Sequence, residues 1–214
     1  MEDRVLQQNV RDELSWEPSI NAAHIGVAAS DGVVTLSGTV GSYAEKDAAE
    51  SAAGRVYGVK GIADELKVVY PSDKQIDDAS IAKRALQVLS WDTMIPNTVK
   101  VSVENGWLTL SGETSWNYQR DAAEFDVQKL SGVLGVTNEI TLKPTVQASA
   151  VKEKIIGALG RNAQIEADNI FVTADGSKVT LTGDVDTWYE RELAETTAWS
   201  APGVTQVSNE LTVI

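Results

Sequence analysis

The chain has 214 residues, 43% of them hydrophobic, with no cysteine and a formal net charge of −13. The missing cysteines exclude disulfides and thiolate chemistry, and acidity spread along the whole chain repels phosphate backbones, which argues against a nucleic-acid partner. No apolar run approaches the roughly 20 residues of a membrane span. The start, Met1-Glu2-Asp3-Arg4-Val5-Leu6-Gln7-Gln8, has no basic or apolar leader region; the expected location is cytoplasmic, or periplasmic if a signal peptide has been removed.

In chain order, Val5, Leu6, Val10 and Leu14 fall at helical intervals. Trp16 and Pro18 close that helix. Ile25, Val27 and Ala29 alternate as a strand, and the Asp31-Gly32 turn leads to a second strand through Val34, Leu36, Gly38 and Val40. An alanine-rich helix runs from Tyr43 to Tyr57, with Gly58 as its C-cap. Ile62, Leu66 and Val68 mark a last strand. The order is α-β-β-α-β.

The same order returns twice. Ile81, Leu86 and Leu89 mark the next helix and Trp91 takes the place of Trp16. Val99, Val101 and Val103, then Leu108 and Leu110, form its hairpin; Ala122, Ala123 and Leu130 lie on the second helix, and Val136, Ile140 and Leu142 on the last strand. The third copy carries Ile155, Ile156 and Leu159 on its first helix, Ile170, Val172, Val179, Leu181 and Val185 on its hairpin, and Val207, Leu211 and Val213 on its closing strand.

Fixed landmarks tie the copies together. Asp31-Gly32-Val33-Val34-Thr35-Leu36-Ser37-Gly38 recurs as Asn105-Gly106-Trp107-Leu108-Thr109-Leu110-Ser111-Gly112, and with one insertion as Asp175 to Gly183. Gly58, Gly132 and Gly203 each follow the strand glycines Gly38, Gly112 and Gly183 by the same twenty residues. Such an internal repeat implies three domains, over residues 1–70, 76–144 and 146–214, joined by the polar linker Pro71-Ser72-Asp73-Lys74-Gln75 and by Lys143-Pro144-Thr145. All six landmark glycines read as structural. Those on the strands suggest a helix or another backbone too close for a β-carbon.

The Thr-Leu-Ser-Gly strand, the alanine-rich helix and the ending Gly132-Val133-Leu134-Gly135-Val136-Thr137-Asn138-Glu139-Ile140, matched by Gly203 to Leu211, resemble the BON domain, named for bacterial osmotic-stress and nodulation proteins. Repeat one has Asp64 where the others have Asn138 and Asn209. The resemblance covers essentially the whole chain. It implies an α+β fold of three tandem αββαβ domains, each a three-stranded mixed sheet with two helices on one face. It further implies a non-enzymatic role associated with the cell envelope and stress tolerance. Some members bind phospholipid or assist other proteins, and one relative binds potassium.

The residues agree on chemistry. With no cysteine and one histidine, His24, no nucleophilic triad can be built. His24 has no carboxylates at ligand spacing and reads as structural or exposed. Neither Gly-x-x-x-x-Gly-Lys nor Gly-x-Gly-x-x-Gly occurs. Asp184, Asp186, Glu190, Glu192 and Glu195 read as a solvated surface. Lys46, Arg120 and Arg191 recur at one position early in the second helix and read as structural, as does the hydrogen-bonded Asp64, Asn138 and Asn209 position. The expectation is no enzyme, no cofactor and no metal.

What the copies share reports the fold; what differs is where function is sought. Residues 71–145 are the least acidic third, with 7 basic and 10 acidic side chains. They also hold Trp91, Met94, Trp107, Trp116 and Tyr118. Together with Lys83 and Arg84 these form the candidate interaction surface, with Trp107 as an outward-facing cover for a neighbouring domain or partner. Trp188-Tyr189 is a weaker version of the signal. Protein partners or clients, met in a chaperone-like way, are one expectation. Anionic phospholipid is the other, and it is expected to be weak because two basic side chains add only about 2 kcal/mol at such a surface.

Overall fold

Leu6, Val10 and Leu14 recur at four-residue steps, and in the computed structural model of the chain they form the buried stripe of α1 (Asp3–Trp16). The structure describes residues 2–70, 76–143, 151–162, 165 and 167–214. The linker Pro71–Gln75 and the junction residues Pro144 and Thr145 lie outside them.

β1 (Ile25–Ser30) and β2 (Val33–Val40) form a hairpin in which Ser30 faces Val33. Asp31 and Gly32 both have positive φ, 53° and 83°, as a two-residue hairpin loop requires. α2 (Tyr43–Gly54) crosses over to β3 (Gly61–Val68), which pairs parallel with β2. β2 is therefore the central strand of a mixed sheet. Val34 and Leu36 point to the face covered by both helices, where they share one core with Leu6, Val10, Leu14, Ala49, Ala52 and Ala53. Alanines on α2 let the helix lie close to the sheet.

The second domain repeats this order with α3 (Asp78–Trp91), β4 (Lys100–Glu104), β5 (Trp107–Thr114), α4 (Asn117–Val127) and β6 (Gly135–Leu142). The third has α5 (Val151–Leu159), β7 (Ile170–Asp175), β8 (Lys178–Val185), α6 (Trp188–Trp199) and β9 (Gln206–Val213). The fold is α+β, three αββαβ units in tandem, each with its own sheet and core. Burying a Leu or Val side chain contributes about 1.5–3 kcal/mol, and units of about 70 residues are marginal alone. Contacts between them therefore matter to stability.

The strand glycines meet another backbone, one of the two expected neighbours, while Gly58 departs from its expected role. At Gly38, Gly112 and Gly183 φ is 119–120°. An added β-carbon would collide with the backbone carbonyl of His24, Thr98 or Asn169, just before or at the start of the first strand. The close neighbour is thus the first strand's entry and not the second helix. Gly58 does not cap α2, which ends at Gly54; it closes a following turn with φ 90°, as Gly203 does after α6.

Candidate interaction site

The second helices carry the polar framework of each domain. Asn138 sits opposite Leu110 on β6 and Asn209 opposite Leu181 on β9. Asn138 Nδ2 donates to Arg120 O at 2.9 Å and to Glu124 Oε2 at 3.1 Å; Asn209 Nδ2 donates to Arg191 O at 3.0 Å and to Glu195 Oε2 at 2.9 Å. Each amide thus ties its last strand to a helix. Asp64 occupies the same register in the first domain and accepts from Leu66 N at 2.9 Å and from Lys46. A carboxylate cannot donate, so Glu50, its counterpart of Glu124, must supply the proton. Burial first, then the charge and hydrogen bond of Asp64, push Glu50 up to about 7.

The recurrent cation also divides the copies. Lys46 Nζ donates to Leu66 O at 3.1 Å, and Arg191 donates to Leu211 O at 3.2 Å and Asn209 O at 2.8 Å. Arg120 instead stacks on Trp199 of the third domain, 4.7 Å from the ring centre. Carboxylates line the junctions too. Asp47, Asp121 and Glu192 hold one position on α2, α4 and α6, and surrounding protein raises the pKa of each. Glu124 adds to the rise at Asp47, Glu124 and Glu195 at Asp121, and Glu195 and Asp47 at Glu192. The three second helices therefore face one another. Glu192 also accepts from Trp188 Nε1 at 3.0 Å and Glu190 accepts from Asp186 N at 2.8 Å. The carboxylates Glu190, Glu192 and Glu195, expected as merely solvated, do structural work at caps and junctions.

Each junction is made by the first residue of a second helix. Tyr43 packs onto the core of the second domain, and Trp188 lies on Gly54 of the first. At the corresponding place α4 has Asn117. Opposite it, in the third domain, stands Trp199 rather than the Gly54 seen in the first domain, and a groove of about 500 Å³ lies between them.

The sequence-predicted surface is brought together only in part. Trp91 and Met94 are 71% and 57% exposed at the end of α3. Gln119 Nε2 donates to Met94 O at 2.9 Å, which places Trp116 and Tyr118, both exposed, at the same end of the domain. Trp107 is not there. It starts β5, about 24 Å along the strand from that end, and lies flat on Gly135 with its Nε1 donating to Thr137 Oγ1 at 2.8 Å. It covers its own sheet. Lys83 is exposed and Arg84 reaches Ser131 O at 3.4 Å, both two turns or so, about 10–12 Å, before Trp91. His24 is exposed beside Asn21, and its carbonyl is the group that excludes a side chain at Gly38. Among the described residues no group of three or more His, Asp or Glu is placed to hold a metal ion, and no helix is long and apolar enough to cross a membrane.

Comparison with known proteins gives this framework a name. The family model of the BON domain matches residues 2–70, 77–144 and 147–214. The chain belongs to the BON domain family, in three tandem copies. Among curated proteins it is similar to the Osmotically-inducible protein Y of Escherichia coli (strain K12), 30% identical over 148 residues that cover 67% of this chain and 74% of that one. Solved structures similar to it include CdsD, a structural protein of the type III secretion system of Chlamydia trachomatis, at 16% identity and a TM-score of 0.27 over 98% of this chain and 92% of that one. The CdsD C-terminal domain gives the same identity and score with both chains fully covered.

Comparing the three BON copies shows which residues sequence reasoning missed. Ser42 and Thr187 cap their helices by accepting from Glu45 N and Glu190 N, both at 3.1 Å. The second BON domain has Trp116 there, which offers no acceptor; only the reverse half survives, Gln119 Oε1 accepting from Ser115 N and Trp116 N. Losing such a cap costs about 1 kcal/mol. Next to it, Asn117 replaces an aromatic residue. These adjacent departures mark one place, and lining up the copies would have exposed both. Trp199 and Asp121 carried no such signal, because their importance depends on which domains meet.

Proposed function

We propose that this chain is a non-enzymatic, osmotic-stress-related binding protein that acts on other proteins in a chaperone-like way through the exposed end of its second BON domain. The observation that carries this reading is Trp91 and Met94, 71% and 57% exposed at a helix end and flanked by Trp116 and Tyr118. Aromatic residues and methionine are the side chains that anchor protein contacts, and methionine adapts its shape to varied partners. The net charge of −13 keeps such a protein soluble while the patch is engaged. Stress relevance comes by similarity to the osmotically inducible relative.

A weak phospholipid contact is the second reading, favoured by exposed Lys83 on the same helix as Trp91. One paired experiment separates the two. Light scattering of a heat-denatured client should fall in the presence of the chain, and the effect should shrink with Trp91→Ala. Flotation with anionic vesicles should be weak and should vanish as salt is raised. Tight, salt-insensitive flotation without any effect on the client would reverse the choice.

A further inference from the structure

The junction between the second and third BON domains is built differently from the other two. Where Tyr43 and Trp188 fill their junctions with an aromatic ring, Asn117 leaves the groove of about 500 Å³ open. Asn117 is only 6% exposed, and its Oδ1 is the one buried side-chain oxygen or nitrogen without a hydrogen-bond partner among the described residues. Its orientation is fixed, because Nδ2 donates to Asp121 Oδ2 at 2.6 Å. An unsatisfied buried acceptor of this kind is destabilising, so a donor that reaches it has a free-energy gain waiting. Around it stand Trp116, Tyr118 and Trp199, and the carboxylate of Asp121, 58% exposed. The Arg120 guanidinium stands beside the groove, its Nε 3.7 Å from Asp121 Oδ1, but no basic side chain lines the groove itself.

The larger cleft of about 700 Å³, at the first junction, makes a useful contrast. Its polar groups are already paired: Tyr70 donates to Val133 O, Asp77 accepts from Ser80 N, and Asp78 accepts from Asn105 N and Gly106 N. Among the described residues it holds no buried side-chain nitrogen or oxygen without a partner.

We infer that the groove between the second and third BON domains binds an alkylammonium group, its N–H donors shared by the Asp121 carboxylate and Asn117 Oδ1 and its carbon chain held among Trp116, Tyr118 and Trp199. Three features select that chemistry. Asn117 Oδ1 has no donor and Asp121 Oδ1 has only the Arg120 guanidinium at 3.7 Å, beyond hydrogen-bond reach, so a cation with N–H groups completes both. Aromatic faces attract cations, and the Arg120 guanidinium, 4.7 Å from the Trp199 ring centre, already uses one. Burial first, with the charges of Glu124 and Glu195 added, raises the pKa of Asp121 against the lowering effect of the Arg120 guanidinium. A bound ammonium would offset those carboxylate charges. Because the Oδ1 is covered, a small shift of a neighbouring ring must accompany entry. The groove is separate from Trp91 and Met94 and does not rest on the client-binding reading.

A small amine and a lysine side chain offer the same group, and the test tells them apart. The amide NMR spectrum of the full chain is titrated with n-butylammonium chloride, and in parallel with tetramethylammonium chloride, n-butanol and the blocked peptide acetyl-Gly-Gly-Lys-Gly-Gly-amide. Saturable shifts confined to residues 116–121 and 196–200 are expected with n-butylammonium, at least tenfold weaker with tetramethylammonium, which has no N–H, and with uncharged butanol. Peptide binding as strong as the amine's assigns the site to lysine side chains; binding of the amine alone assigns it to free amines. Asp121→Asn keeps an acceptor for Asn117 Nδ2 and should weaken binding at least tenfold. The double variant Asn117→Trp, Trp199→Gly rebuilds the Trp188–Gly54 pairing and should abolish it in a folded chain. Absence of saturable shifts, butanol binding as well as the amine, or undiminished affinity in Asp121→Asn would overturn the assignment.

Discussion

Trp188 of the third domain rests on Gly54 of the first, so closely that a β-carbon at residue 54 would meet its Cδ1 at 3.1 Å. Two domains are thereby joined through the end of one second helix and the start of another. Trp188 also packs on the core of its own domain, much as Tyr43 joins the first domain to the core of the second.

Gly54→Leu should therefore separate the third domain from the first while leaving each sheet intact. Overpacking of this kind destabilises by about 1–3 kcal/mol. In calorimetry the variant should show a transition at lower temperature that the parent lacks. An unchanged single profile would mean that Trp188 does not hold the junction.

The Glu50 and Asp64 pair makes a prediction about pH. Glu50 titrates near its ordinary value of 4.5 when unfolded and at about 7 when folded. The folded state binds the proton more tightly, so the stabilisation is complete below about pH 4.5 and is lost as pH rises through about 7. Asp64→Asn recreates the Asn138–Glu124 arrangement, in which the amide donates to the carboxylate and no proton is shared. It should flatten the fall in stability between pH 5 and pH 8 by about 1 kcal/mol, a figure reduced for the solvent that still reaches Glu50. Urea midpoints at the two pH values check it. A variant that keeps the parent's full difference would show that the shared proton is elsewhere.

Gly112→Val tests the strand glycines. With φ at 119° and the Thr98 carbonyl in the way, the substitution combines backbone strain with overpacking, together about 2–5 kcal/mol. That is a large share of a small domain's stability. The denaturant midpoint should fall accordingly, with the second domain lost first. A midpoint within experimental error of the parent's would show that the strand tolerates a side chain there.

Much of this fold was legible before any coordinates. Alternation in Val34, Leu36 and Val40, the Asp31-Gly32 and Asn105-Gly106 turns, and the helical spacing of Leu6, Val10 and Leu14 are local signals that tertiary structure had no reason to override. Helix ends were less so: α2 stops at Gly54 because a further turn, not a longer helix, leads to Gly58. Of the candidate surface, Trp91, Met94, Trp116 and Tyr118 come to one end of the domain. Trp107 does not, since a strand residue with odd parity can cover its own sheet as well as a partner. The Asn117–Trp199 groove was illegible because it depends on how separate domains meet, which no local pattern encodes.

The central claim, that the exposed end of the second domain engages protein clients, is tested most directly by hydrogen–deuterium exchange of the chain with and without an unfolded client. The account predicts slowed exchange in the segments around Trp91–Ile95 and Trp116–Gln119, and no such protection in Trp91→Ala. Protection confined to other segments, or none while the client is held in solution, would contradict it.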